Sequence, residues 1–305
     1  MNKKKISILL QALRVNQWIK NLIVFTAIIF TGNLFEIDLL LKTIYAFFIF
    51  CLLSSTSYLL NDIIDYPYDK KHPRKKNRPI ASGKMSLAEA SFIVFLLTLV
   101  SLIVTLFFSI SFFFLSLIFI LLHFFYSLYF KRYPVFDIFS ISFSFMIRAY
   151  AGEVATGFHI PVWLMLTFFF GSLFMAAVKR HAELVSHGKE ARLSLYRYHE
   201  HFLDFLTYTF ATLTIIGYSF YTYFEKPPLI STFTRGFGNI FPGFEGRKWL
   251  MITIPLVVYG VARYAQLLYE RYEGEQPEKI ITTDKPLIFS IFLWGAITVV
   301  LIYVF

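Results

Sequence analysis

Asn61, Asp62, Asp65 and Asp69 crowd one short stretch, Asn61-Asp62-Ile63-Ile64-Asp65-Tyr66-Pro67-Tyr68-Asp69. On a helix, Asn61, Asp65 and Asp69 recur at i, i+4 and i+8 and line one face, with Asp62 beside it. Carboxylates stacked in this way repel one another unless a cation lies between them. Hard oxygens at a helix end suit Mg²⁺, which keeps several waters and takes one or two carboxylates together with a substrate's phosphate oxygens. Asn61, Asp65 and Asp69 are therefore candidate metal ligands, and Asp62, Asp65 and Asp69 candidate catalytic acids. The competing reading is a solvated acidic helix end paired with Lys70, Lys71 and Arg74. Pro67 is expected to kink or end the helix.

Lys70, Lys71, Lys75, Lys76 and Arg78 follow at once. Carboxylates for a metal and a guanidinium for outer phosphate oxygens are the two halves of a site for a metal–diphosphate complex. The four lysines read better as a basic loop. Further along, Arg148 lies deep in an apolar stretch with Glu153 five residues on. Ionisable groups at such depth are costly and face an interior. The two either pair with each other or Arg148 meets substrate. Asp137 either faces the site mouth or caps its helix. His123 is expected to be neutral and hydrogen-bonded between helices.

The elements that carry these residues are legible in the composition. Of 305 residues, 57% are hydrophobic and only 16% charged, with a mean hydropathy of +0.62. Soluble domains run at roughly 45–50% and about 25%. A soluble fold, a disordered chain and a disulfide scaffold are excluded, the last because Cys51 is the single cysteine. Apolar stretches at 20–36, 39–60, 89–109, 111–130, 135–156, 161–182, 202–224, 248–270 and 286–305 each approach the length of a spanning helix. The predicted fold is an all-α, polytopic membrane bundle of about nine transmembrane helices around a central cavity that faces the cytoplasm. Residues 1–305 form a single integral-membrane domain. Residues 1–18 form an amphipathic interfacial segment with Trp18 at headgroup depth. No cleavable leader is expected.

Four polar connections are long: 61–88, 183–201, 225–247 and 271–285. Most of the 29 Lys and Arg residues fall on the side of the N-terminus. That bias predicts a cytoplasmic N-terminus in the cell inner membrane, with the acidic loop on the same face. The net charge of +10 is spread over loops, so it suits anionic lipid or an anionic substrate and not nucleic acid. A homo-oligomer is compatible with such a chain.

The run Asn-Asp-x-x-Asp-x-x-x-Asp, followed by Arg78-Pro79-Ile80-Ala81-Ser82-Gly83, resembles the signature of the UbiA-type intramembrane prenyltransferase superfamily. Trp18-Ile19-Lys20-Asn21, Lys179-Arg180-His181-Ala182-Glu183, Arg263-Tyr264 with Pro277-Glu278, and Asp284-Lys285-Pro286 are similar to one branch of it, the decaprenyl-phosphate phosphoribosyltransferases. The resemblance covers nearly the whole chain. It implies Mg²⁺-dependent transfer of a 5-phosphoribosyl group from its 1-diphosphate to a polyprenyl phosphate within the bilayer. It also implies substrate-binding roles for Lys20, Asn21, Arg78, Arg148, Lys179, Arg180 and Glu183. The prenyltransferases of the superfamily carry a second Asp-rich loop after the sixth span, where this chain has two permanent cations and one carboxylate. A second metal held by protein acids is therefore not expected, and a more heavily phosphorylated donor accounts better for the cations. The rival readings are prenyl transfer from a prenyl diphosphate to an aromatic or lipid acceptor, and a transporter for an anionic solute.

Overall fold

A computed structural model describes residues 3–72, 75–187, 198–225, 246–271 and 283–303. Most of the 225–247 and 271–285 connections, with Pro277 and Glu278, lie outside the described residues, as do Arg74 and 188–197. All regular structure among the described residues is helical. The α-helices are α1 (Lys3–Ala12), α2 (Thr26–Phe30), α3 (Ile37–Asp69), α4 (Leu87–Phe108), α5 (Ile110–Leu128), α6 (Phe136–Thr156), α7 (Val162–His187), α8 (Glu200–Phe224), α9 (Ile254–Arg271) and α10 (Lys285–Tyr303). Short 3₁₀ segments connect them, the longest being Val15–Phe25.

Among the described residues, six helices are long and apolar enough to cross a membrane. They are α3, α4, α5 with the turn after it, α7, the Trp249–Leu267 stretch leading into α9, and α10. Helices α6 and α8 have the length, 21 and 25 residues, but carry more polar groups. The stretch 20–36, expected as one spanning helix, is instead the 3₁₀ segment Val15–Phe25 continued by α2 and ended at Phe30. Gly32 stops it: at φ 79° it turns the chain, and the Asn33 N–H returns to the Ile28 carbonyl at 3.0 Å, a helix C-cap.

Helix α3 extends the 39–60 span into the acidic stretch, as the spacing of Asn61, Asp65 and Asp69 requires. It runs on past residue 60 and straight through Pro67 to Asp69. Pro67 stands in the last turn, where its missing N–H costs a single bond close to the helix end. The acidic stretch is thus a helical extension of an apolar span, not a loop.

Helix α6 is the hub of the bundle, in contact with the 3₁₀ segment Val15–Phe25 and with α2, α3, α5 and α7. Gly152 lets the first of these approach, since a Cβ there would run into the Val24 carbonyl oxygen. Helix α7 packs most extensively on α8. Helix α4 is peripheral, with Phe92, Phe95 and Phe107 exposed, as a lipid-facing helix should be. A cavity of about 490 Å³ lies between residues 19–30 and helices α6, α7 and α10. Phe30, Phe145, Phe168, Met175 and Trp294 line it, with Lys20 as its cation. The cavity is apolar, and the acidic residues of α3 are not part of its wall.

Candidate active site

The α3 extension holds its acids in two groups. The Asn61 Nδ2 donates to Asp65 Oδ2 at 2.9 Å. The Lys131 Nζ, from the 3₁₀ turn Phe130–Arg132 between α5 and α6, reaches both residues, at 3.0 Å from Asn61 Oδ1 and 2.5 Å from Asp65 Oδ1. One step round the helix, Arg78 Nη1 bridges Asp62 Oδ1 at 2.9 Å and Asp69 Oδ2 at 2.6 Å. Arg14 adds a second guanidinium to Asp62 and lies over the Tyr58 ring, 5.1 Å from its centre.

The predicted face of Asn61, Asp65 and Asp69 is therefore split. Seven residues bring a helix round to within about 20°, whereas eight overshoot by about 80°. Asp69 consequently lies nearer in rotation to Asp62 than to Asn61, and it shares Arg78 with Asp62. The two carboxylates bound by Arg78 are almost fully buried, while the Asp65 side chain keeps 24% of its surface exposed.

No cluster of three His, Cys, Asp or Glu side chains forms a metal cage among the described residues. Mg²⁺ does not require one, because water and substrate oxygens complete its shell. Asn61 Oδ1 and Asp65 Oδ1 converge on a point that already accommodates an ammonium, so two hard oxygens face a cation position. The donor set fits Mg²⁺.

The other candidate residues are distributed differently. Lys20 lines the apolar cavity. Asn21 is fully buried; its Nδ2 donates to Cys51 Sγ at 3.3 Å, and its Oδ1 accepts from Ser54 Oγ at 3.1 Å and Arg148 Nε at 2.6 Å. Arg148 does not pair with Glu153. The Glu153 carboxylate instead accepts from the Ile160 N–H at 2.5 Å and so fixes the α6–α7 turn. His123 bonds Ser144 Oγ at 2.9 Å between α5 and α6.

Arg180, expected to hold donor phosphate, is 1% exposed. Its guanidinium meets Asp137 Oδ2 at 3.2 Å and Glu183 Oε2. The correction follows from register: on α7, Arg180 points into the bundle while Lys179 and Glu183 stay half-buried at its rim. Asp137 is also fully buried and accepts from the Tyr198 hydroxyl at 2.9 Å. It does not open onto the site mouth.

The model of the UbiA prenyltransferase family matches residues 22–296. The chain belongs to that family. It is a transferase and a multi-pass membrane protein. Among UbiA-family relatives, the decaprenyl-phosphate phosphoribosyltransferase of Mycolicibacterium smegmatis is 32% identical over 96% of this chain and 91% of its own length. The enzyme of the same name from Corynebacterium glutamicum is 30% identical over 97% and 87%. A UbiA homologue from Archaeoglobus fulgidus, solved with DMAPP and Mg²⁺, has the same fold: TM-score 0.70, with 18% identity, covering 96% of this chain and 98% of that one.

Three residues in or beside this candidate site escaped the sequence. Lys131 read as a basic flank of a short turn, Arg14 as part of an interfacial helix, and Tyr198 as one of 19 tyrosines. Each meets its partner across 48 to 66 positions of chain. No local spacing carries a signal for such pairs.

Proposed function

We propose that this chain transfers a 5-phosphoribosyl group from 5-phosphoribosyl 1-diphosphate to a polyprenyl phosphate, giving polyprenyl-phosphoryl-ribose 5-phosphate and diphosphate. The observation that carries the reading is the match, over nearly the full length of both chains, to relatives named decaprenyl-phosphate phosphoribosyltransferase. The site chemistry supports it. The acceptor phosphate is already anionic, so its oxygen attacks ribose C1 without a strong base as the bond from C1 to the leaving diphosphate breaks. Ribose C1 gains oxocarbenium character in that step.

Asn61 and Asp65 would hold Mg²⁺, and the metal would supply neutralisation of charge on the leaving diphosphate. Asp62 and Asp69 keep Arg78 in place, and Arg78, Lys131 and Lys179 present cations to phosphate oxygens. Glu183 stays at the same rim, and Asn21, Arg148 and Arg180 support the walls. Catalysis is then mainly positioning and charge stabilisation. The apolar cavity beside Lys20 has the chemistry for an isoprenoid chain whose phosphate lies at its polar end.

The reading includes nine crossings. A 3₁₀ helix rises about 2.0 Å per residue, so residues 15–30 reach roughly 30 Å, enough for a bilayer core. It includes a cytoplasmic N-terminus in the inner membrane, with the α3 extension on that side. Membership of a transferase family argues against a transporter.

One assay tests the activity. Purified protein with Mg²⁺, polyprenyl phosphate and labelled 5-phosphoribosyl 1-diphosphate should move label into the organic phase. Label that stays aqueous, while a parallel reaction given a prenyl diphosphate and an aromatic or lipid acceptor turns over, would establish the prenyltransferase alternative. Orientation is read separately. Cys51 is buried, so a Lys84→Cys variant should be the only reactive thiol, and it should resist an impermeant reagent in intact cells.

A further inference from the structure

Val135 adopts a conformation that β-branched residues avoid. Its φ is 68° and its ψ −50°, and the Phe136 N–H reaches back to the Pro134 carbonyl at 2.8 Å. This is a γ-turn of the positive-φ kind, rare and strained, and a branched Cβ adds to the strain. Such a backbone persists only where its surroundings over-determine it.

The surroundings are a buried polar chain. The Tyr198 hydroxyl accepts from the Val135 N–H at 2.7 Å and donates to Asp137 Oδ1 at 2.9 Å. Arg180 holds the other Asp137 oxygen at 3.2 Å. Tyr198 and Asp137 are fully buried and Arg180 nearly so. Burial, and next the Asp137 charge, push the phenol up from its ordinary pKa, so it stays protonated and donating.

Strain is confined to two places. Among the described residues, Arg14 is the other non-glycine residue with positive φ, 50°, and its guanidinium meets Asp62. Val135 closes the turn whose Lys131 meets Asn61 and Asp65. Both strained turns deliver a cation to the same end of α3.

We propose that Tyr198 is a positioning residue: backed by Asp137 and Arg180, its hydroxyl clamps the Val135 γ-turn and so aims Lys131 at the Asn61–Asp65 pair. The functional side of this rests on the reading of that pair as part of the donor site. The clamp ties the start of α8 to the acidic end of α3.

Tyr198→Phe removes the hydroxyl and keeps the ring. In the purified full-length protein, amide hydrogen exchange across 130–137 should quicken roughly tenfold, the effect of one lost hydrogen bond pair. The donor Michaelis constant should rise by a similar factor, and the acceptor constant should not move. Val135→Gly in the Tyr198→Phe background should restore the kinetic constants, because glycine holds φ 68° unaided. Unchanged exchange at 130–137, equal changes in both Michaelis constants, or no rescue by glycine would each overturn the proposal. If Tyr198→Phe is not recovered folded, the double variant carries the test: recovered and active supports the clamp, lost overturns it. A wild-type protein without phosphoribosyl transfer, but with the exchange result intact, would sink the proposed function and leave the clamp standing.

Discussion

The end of α3 and the middle of α6 both hold charge inside or beside the bundle, and they satisfy it in opposite ways. At the α3 end, acids meet cations drawn from separate elements, Arg14, Arg78 and Lys131. In α6, the buried Arg148 meets no carboxylate among the described residues. Its Nε donates to Asn21 at 2.6 Å, its Nη1 to the Ser144 carbonyl at 2.9 Å and its Nη2 to Ser54 at 3.2 Å. The Phe119 and Phe145 rings flank it at 4.8 and 5.4 Å. Ion pairs at a partly open rim can exchange partners, so an incoming metal and phosphate can replace Lys131 on Asp65. Neutral dipoles around a fixed cation cannot be traded in this way, so they build architecture. Arg148, which sequence nominated for substrate, is of the second kind; Arg180, nominated likewise, is ion-paired with Asp137 and Glu183 but buried inside the bundle.

The comparison breaks or sharpens at defined residues. The largest expected effect is that of Asp65→Asn, which keeps the shape and loses the charge facing Lys131. Activity should fall at least about 100-fold, the loss of two charge-assisted bonds, while the melting temperature holds. Near-normal turnover at saturating Mg²⁺ would reduce the α3 end to a solvated helix terminus.

Arg148→Met should act on stability. Asn21 and Ser54 lose their shared partner inside the bundle, at a cost of about 2–4 kcal/mol. The readouts are thermal unfolding in detergent and the yield of folded protein. A stable variant that has lost only donor affinity would return Arg148 to the substrate.

Gly152→Ala should cost about 1–3 kcal/mol, because its Cβ must push back a carbonyl and not a flexible side chain. The same unfolding measurement checks it.

Arg180→Lys should lower the melting temperature modestly and, because Arg180 backs the Tyr198 clamp through Asp137, raise the donor Michaelis constant less than Tyr198→Phe does. A large rise in the donor constant with amide exchange at 130–137 unchanged would restore the phosphate-clamp role. The smallest effect is expected of Asp284→Asn. It weakens a pairing with Arg263 at 2.9 Å and keeps an oxygen for the Leu287 N–H that caps α10, so unfolding should shift by about 0.5–1 kcal/mol.

Much was legible in the chain itself. Apolar runs separated by basic loops fixed the fold class, because a bilayer leaves helices with internally satisfied backbones as the solution for such runs. The spacing of Asn61, Asp65 and Asp69 located the acidic end of α3, and the Lys-Arg-x-Ala-Glu run marked the branch resemblance. These are local patterns, carried by composition and by the period of one helix.

The tertiary structure decided which charges face which. Register over α3 sent Asp69 to Arg78 with Asp62, since seven residues close two turns better than eight do. Packing turned Arg180 inward onto Asp137 while its neighbour Lys179 stayed at the rim. Lys131 and Tyr198 became part of the site only through contacts across more than 60 positions of chain. A sequence states how many cations and acids a membrane protein carries. Their pairing depends on which helices come side by side and on how each is rotated about its axis, and many packed side chains together set that rotation.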